Sequence, residues 1–326
     1  MKSILGAIAI CLAVASPLHA QEAFSKDSAA SVRVIPFETR TVSDESFRSG
    51  DKGAGTATEI AGVLRLPIGN GPFPAVVLIE GSGGIGSEVD HWDRLFLSHG
   101  IATFAIDGFT GRGIVNLVAD QSKLGLMNMI VDAYRGLGVL AKQQEIDPRR
   151  VAVMGFSRGG LITLYSAMKR FQSAWNESGV TPAAYVPLYP LCNFQFIGDE
   201  DVVGGPIRIF HGAADDYLPI APCKAYVERL KKAGRDAEIT ALPDAYHAFD
   251  MPSLPSKPIF LADAQTTQCE IVEDKKGAMI DAATGAPWTF ADPCNKKGAH
   301  IGYNPEAAAA TDKDVLAFLA TTFKLQ

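Results

Sequence analysis

Short, near-continuous apolar runs alternate along this chain with stretches whose apolar residues recur every three or four positions. The runs Ala75 to Ile79, Ile101 to Ile106, Val151 to Met154, Ala184 to Leu188, Ile207 to Phe210 and Ala237 to Leu242 predict parallel strands buried on both faces. Arg33 to Phe37 and Ile60 to Leu66 predict two earlier strands. Between them, the pattern predicts a helix opening at Ser87, with Asp90 three residues on in a near capping box and Trp92, Leu95 and Phe96 buried. Leu126, Ile130, Ala133, Leu137 and Leu140 predict another over Leu124 to Lys142. A helix-like stretch runs from Leu161 to Arg170, and one from Ile220 to Ala233 stops at Gly234, a good residue beyond a C-cap. The last opens at Asn304-Pro305, a cap followed by a first-turn proline, and buries Val315, Leu316, Leu319 and Phe323. Strands alternating with helices in this way predict a single doubly wound α/β domain over residues 21–326, its mostly parallel sheet holding about eight strands.

The first twenty residues stand apart from that pattern. Lys2, the apolar run Ile4 to Ala15 and Leu18-His19-Ala20 read as a secretory signal with its cleavage site, so the mature chain is expected in the periplasm or outside the cell. The run is short of the roughly 20 residues a membrane span takes, and no other stretch is longer, so the mature chain is not expected to insert into a membrane. A net charge of −6 with no Lys/Arg run excludes a nucleic-acid partner. Once Cys11 has left with the signal, Cys192, Cys223, Cys269 and Cys294 remain. An even count in an exported chain favours disulfides, with three connectivities open. None of the four has the close spacing of a zinc site, and no metal is expected.

Chemistry concentrates where the strand Val151 to Met154 runs into Gly155-Phe-Ser157-Arg-Gly159. A G-x-S-x-G between a strand and a helix is a nucleophile elbow: the turn is too tight for side chains at the two glycines, and it lifts the serine hydroxyl clear of the sheet. Such a serine needs a base, and the base an orienting carboxylate. Asp215 follows the strand Ile207 to Phe210, with Asp216 as the fallback, and His247 lies in the loop after the last predicted sheet strand. The order Ser157, Asp215, His247 is that of α/β-hydrolase triads. The other histidines suit other places: His91 and His99 on a helix, His211 holding a turn, His300 in a late loop. Oxyanion donors are expected from the backbone N–H of Arg158 and of Ser82, with Gly83 as the near alternative, in the loop Glu80-Gly-Ser-Gly-Gly84. Two other functions compete. One is a non-catalytic binding protein on the same fold. The other is a dinucleotide-dependent oxidoreductase, since Gly81-Ser-Gly83-Gly-Ile-Gly86 follows a strand and Asp107 ends the next one. Against the latter, the motif does not open the sheet, and its third glycine precedes the helix instead of packing within it.

Taken together, the markers resemble the dienelactone hydrolase family of α/β-hydrolases. They are Pro74-Ala-Val-Val-Leu-Ile, Asp107-Gly-Phe-Thr-Gly-Arg-Gly113, Ile146-Asp-Pro-Arg-Arg150, Gly155-Phe-Ser-Arg-Gly-Gly160, Tyr189-Pro-Leu-Cys192, Asp215-Asp-Tyr-Leu-Pro219 with Cys223, and Ala245-Tyr-His-Ala-Phe-Asp250. The resemblance runs from about Gly71 to Pro252 and resumes near Asn304. It implies a cofactor-free triad of Ser157, Asp215 and His247 acting on a small-molecule ester or lactone. Ser157 stands where the family's lactone-cleaving members typically carry cysteine, which turns the expectation toward an esterase-like hydrolase. Glu80 occupies a position where some dienelactone hydrolases also have an acid. Two roles are open to it: tuning the serine from beside it with a raised pKa, or bonding the nearby loop, with Arg112 as a candidate partner. The stretch of about 252–302 is long for a connection and reads as an insertion, with a turn at Gly285-Ala-Pro287 between Cys269-Glu-Ile-Val and Trp288-Thr-Phe. A Cys269–Cys294 bond would staple it into a flap over the site, leaving Cys192 to pair with Cys223.

Overall fold

A computed structural model of the chain describes residues 29–325, so the signal reading of residues 1–20 falls outside the described residues. In chain order the elements are β1 (Ser31–Thr41), α1 (Asp44–Ser49), β2 (Thr56–Leu66), β3 (Phe73–Ile79), α2 (Ser87–Ser98), β4 (Ala102–Asp107), α3 (Asn128–Ala141) and β5 (Ile146–Phe156). There follow α4 (Arg158–Tyr165), α5 (Lys169–Trp175), β6 (Ala184–Leu188), β7 (Phe194–Gln195), β8 (Ile207–Gly212), α6 (Ile220–Lys232) and β9 (Ala237–Leu242). The chain then runs through β10 (Ile259–Thr267), β11 (Ile271–Glu273), β12 (Met279–Asp281), β13 (Asn295–Ile301) and α7 (Pro305–Phe323).

Eight strands make the central sheet, in the order β1-β2-β4-β3-β5-β6-β8-β9. β2 runs antiparallel to both its neighbours, and every other neighbouring pair from β4 to β9 is parallel. Each corresponds to one of the eight predicted runs, with β4 beginning at Ala102, one residue later than its run. Successive side chains of a strand point to opposite faces, and β3 shows it. Val77 and Ile79 join the cluster that packs with α3, while Val76 and Leu78 join Trp92 and Phe96 of α2 and Val315, Leu319 and Phe323 of α7. Burial on both faces is why β3, β4, β6 and β8 read as unbroken apolar runs; β9, expected to be covered on both faces, is an edge strand with Glu238 and Ala241 exposed.

α2 opens at Ser87 as predicted, but its cap and two other helix boundaries differ from the pattern, each because a tertiary hydrogen bond outbids the local signal. Gly86, not Ser87, is the N-cap of α2 and gives no side-chain cap, and Leu95 is only partly buried. The Ser87 hydroxyl is spent on Ser253, 2.7 Å away, in the loop beyond His247. α3 starts at Asn128 because Asp44 accepts the Leu126 and Met127 amides at 3.0 and 2.9 Å and holds that stretch out of the helix. The Leu161 to Arg170 stretch splits into α4 and α5, since Met168 is extended and the Lys169 amide donates to the Asp201 carbonyl at 2.8 Å. In α7, by contrast, Asn304 caps the Ala307 amide as its sequence predicts, although Leu316 is only partly buried.

The 252–302 stretch builds two small sheets. β10 pairs with β13, and β12-β11-β7 form the other. A turn does occur before Gly285, but it brings Pro287 back against Ile280 and the Trp288 amide onto the Met279 carbonyl at 2.9 Å. The Cys269 to Val272 side pairs instead with β12, through a turn in which Asp274 accepts the Lys276 and Ala278 amides. Disulfides join Cys192 to Cys223 and Cys269 to Cys294, the pairing expected from the sequence.

Candidate active site

At the end of β5 the backbone turns so sharply that a side chain has no room on either flank of Ser157. A Cβ added to Gly155 would lie 2.2 Å from the Gly159 carbonyl oxygen, and one added to Gly159 would lie 2.2 Å from that of Ile79. Ser157 itself is held at φ 55° and ψ −111°, a region that side-chain-bearing residues rarely enter, and it caps α4. Its hydroxyl therefore stands at the positive end of a helix, above the C-terminal edge of the sheet.

Two loops at the same edge meet it. His247, after β9, places Nε2 2.9 Å from the Ser157 Oγ and Nδ1 2.8 Å from Asp215 Oδ2. Asp215, after β8, also accepts the Tyr217 and Leu218 amides through Oδ1, at 2.9 and 2.8 Å. A carboxylate that only accepts fixes the imidazole tautomer: Nδ1–H donates to Asp215, and Nε2 is left to accept the serine proton. Asp215 and His247 are both buried, at 6 % and 3 % exposure. Asp216 points elsewhere and binds His300 of β13 through its Nδ1 at 2.7 Å. His211 is buried 3.9 Å from Asp215, and its burial pulls its pKa below the ordinary range.

The imidazole is clamped by groups that the sequence reading did not single out. The rings of Tyr189 and Tyr217 both pack against His247, each with its centroid 4.7 Å away. The Tyr189 hydroxyl donates to Asp250 at 2.7 Å, and the Trp92 indole N–H donates to the other Asp250 oxygen at 2.8 Å. Tyr189 and Asp250 lie in motifs visible in the sequence, but nothing local shows that they bond each other across the fold.

Glu80 and Arg112 do not pair. Glu80 is 1 % exposed and accepts the Gly108 amide at 2.8 Å, so it bonds the neighbouring loop. Burial first, then the Asp107 charge, pushes its pKa up to about 8. Arg112 instead grips Asp132 through both terminal nitrogens, at 2.8 and 2.9 Å. The loop after β3 contributes Ser82, whose hydroxyl donates to Gln121 at 3.0 Å and which lines the cleft at Ser157 together with Arg158.

That cleft is small, about 40 Å³. The insertion forms part of its wall: Gln265, Thr266, Thr267 and Phe290 face it. It is tied down by the Gly302 amide on the His247 carbonyl at 3.1 Å, by the Gln121 amide on Gln265 Oε1 at 2.7 Å, and by the Thr266 hydroxyl on the Tyr217 carbonyl. Among the described residues, one cluster has metal-ligand proximity, Cys269 with Asp281 and Cys294, but its two sulfurs are bonded to each other and offer no thiolate.

A mostly parallel sheet with helices on both faces and an elbow at the end of its central strand defines the α/β-hydrolase fold. Within that class, the sequence pattern of the dienelactone hydrolase family matches residues 60–323, and the chain belongs to that family. It is thereby a hydrolase of the class that acts on ester bonds. Among curated proteins it is similar to esterase EstD of Thermotoga maritima, 30% identical over 232 residues, which are 61% of this chain and 54% of the esterase. It is also similar to the cutinase cut1 of Thermobifida fusca, 31% identical over 170 residues, 50% of this chain and 49% of that one. The chain thus aligns with about half the length of each. Among solved structures, the dienelactone hydrolase-like promiscuous phosphotriesterase P91 from metagenomic libraries shares the fold, with a TM-score of 0.54 at 18% identity over 89% of this chain and 98% of that one. The family match begins in β2 and runs through the insertion, wider than the motifs alone had marked.

Proposed function

We propose that this protein is an exported serine hydrolase that cleaves a small-molecule ester or lactone through an acyl-enzyme. The observation that carries the reading is the chain of short contacts from the strained Ser157 hydroxyl to His247 and on to Asp215. In this mechanism His247 Nε2 takes the serine proton as Oγ attacks the carbonyl carbon. Asp215 holds the ring and balances the imidazolium that forms. The backbone N–H groups of Arg158 and Ser82 receive the oxyanion, and His247 then gives its proton to the departing alcohol. Water, activated by the same imidazole, releases the acyl group. No step calls on a cofactor or metal. The narrow cleft favours short acyl groups. Export is supported by the two disulfides, which persist in oxidising compartments, together with the leader-like residues 1–20.

The test is kinetic. On a panel of short acyl esters and lactones, Ser157→Ala and His247→Ala should each lower kcat by about 10⁴-fold or more with the fold intact. Activity surviving in folded Ser157→Ala would remove the reading. Sequencing the N-terminus of the protein recovered from a culture's periplasm or medium tests export, with a start near Gln21 expected.

A further inference from the structure

The residue that follows the nucleophile carries an unbalanced charge. Arg158 is 3 % exposed. Its terminal nitrogens donate to Gln121 Oε1 at 3.0 Å, the Gln121 carbonyl at 3.4 Å, the Leu124 carbonyl at 2.6 Å and the Gly125 carbonyl at 2.9 Å. Every one of those acceptors is neutral. Its Nε is buried and has no partner. Among the described residues no carboxylate oxygen comes within 4.0 Å of it. Asp44, the acid whose field reaches it, spends its carboxylate on the Leu126 and Met127 amides. Buried charges are ordinarily paired, because an unpaired one forfeits hydration without return. The same protein obeys that rule at Arg112, whose side chain is 4% exposed and takes Asp132 at both terminal nitrogens. Arg158 is the departure, and it lies in the wall of the cleft at Ser157.

We infer that the Arg158 guanidinium is kept without a counter-ion so that the oxyanion formed on the substrate during acyl transfer serves as one. The inference rests on Ser157 as the nucleophile. Direct contact with substrate is closed off, since the four terminal N–H bonds are spent on the Gln121–Gly125 loop and Nε is shut from solvent. The charge acts through space, in a cleft where little water screens it, and it is fixed before the reaction begins. Burial lowers its pKa to about 10, which leaves it cationic through the neutral range. The loop bonds make it a positioning residue as well: the Gln121 side chain that holds it also accepts the Ser82 hydroxyl. Charge and tether are therefore separable by experiment.

Three variants separate them on a neutral short acyl ester. Arg158→Gln should lower kcat by about 30-fold while leaving KM within about two-fold, because the charge is felt by the oxyanion and not by the neutral ester. Gln121→Glu keeps the side chain's shape and strengthens the tether, but sets a carboxylate against the guanidinium. It should lower kcat about 10-fold, whereas a purely structural Arg158 predicts no loss. In Arg158→Ala, millimolar guanidinium should restore kcat and urea, its neutral isostere, should not. Retained kcat in Gln121→Glu or Arg158→Gln, or equal rescue by urea, overturns the inference. So does a loss confined to KM for anionic esters, which would make Arg158 a substrate-anion contact. Should Arg158→Ala not fold, Gln121→Glu decides alone. Labelling of Ser157 in the unmodified protein by a fluorophosphonate keeps the two readings apart: if it succeeds while these variants keep kcat, only the charge inference fails.

Discussion

At Ser157 the chain accepts φ 55° because the two glycines beside it let the backbone pass where no side chain fits. A Cβ at Gly159 would meet two backbone oxygens, those of Ile79 and Glu80, at 2.2 and 2.6 Å, and neither belongs to a side chain that could swing away. Gly159→Ala is therefore expected to cost about 3 kcal/mol or more of stability in urea unfolding. It should also displace the loop that carries Ser82. Asp215→Asn leaves shape but loses the acceptor that sets the His247 tautomer, so kcat should fall by about 10⁴-fold with little change in melting temperature. Glu80 gives a pH signature. Its carboxyl keeps a proton up to about pH 8 in the fold, while in the unfolded chain it loses it near 4.5. Between those values the unfolded state holds fewer protons, so stability falls as pH rises through the window. Glu80→Gln should flatten that fall by an amount on the order of a few kcal/mol. Glu88, whose burial also pushes its pKa up to about 8, leaves a residual slope. Urea midpoints of both proteins at pH 5 and pH 8 measure it, and parallel slopes would count against a buried neutral Glu80. Residue types and chain order were enough to mark Ser157, His247 and an acid just after β8 as residues the fold would bring together. They could not separate Asp215 from Asp216, because adjacent acids differ only in which way the turn sends each side chain. Nor could they place Glu80, whose partner is a backbone amide 28 residues along the chain.

Among the elements, those buried on both faces were the most legible. β3, β4, β6, β8 and the inner half of β5 are marked by apolar runs because a strand covered on both sides leaves little room for polar residues, whereas β1, β2 and the edge strand β9 alternate or are partly exposed. Helix ends were less so, because Ser87, Asp44 and the Lys169 amide answer to distant partners. The insertion was least legible of all. Its strands are three to nine residues long, half exposed, and paired partly with β7 across a long separation. Its staple can be removed. Cys269 and Cys294 close a loop with a sequence separation of 25, so replacing both by alanine should lower stability by about 3 kcal/mol. Because Gln265, Thr267 and Phe290 face the cleft, KM for esters should rise several-fold while kcat changes less. An unchanged KM would show that the flap takes no part in binding.

On the scale of the whole molecule, the sheet, the insertion and the loops after β3, β8 and β9 converge on one small cleft beside Ser157. The family match spans residues 60–323 and so covers Ser157, Arg158 and the disulfide-closed stretch alike. The proposed mechanism stands on Ser157 as a nucleophile activated by His247. The measurement that bears on it most directly is the mass of the active-site peptide after exposure to a fluorophosphonate. A single phosphonyl adduct is expected on Ser157, formed at least about 10³-fold more slowly in His247→Ala. A folded protein that stays unlabelled at Ser157, or that labels equally fast without His247, would contradict that mechanism.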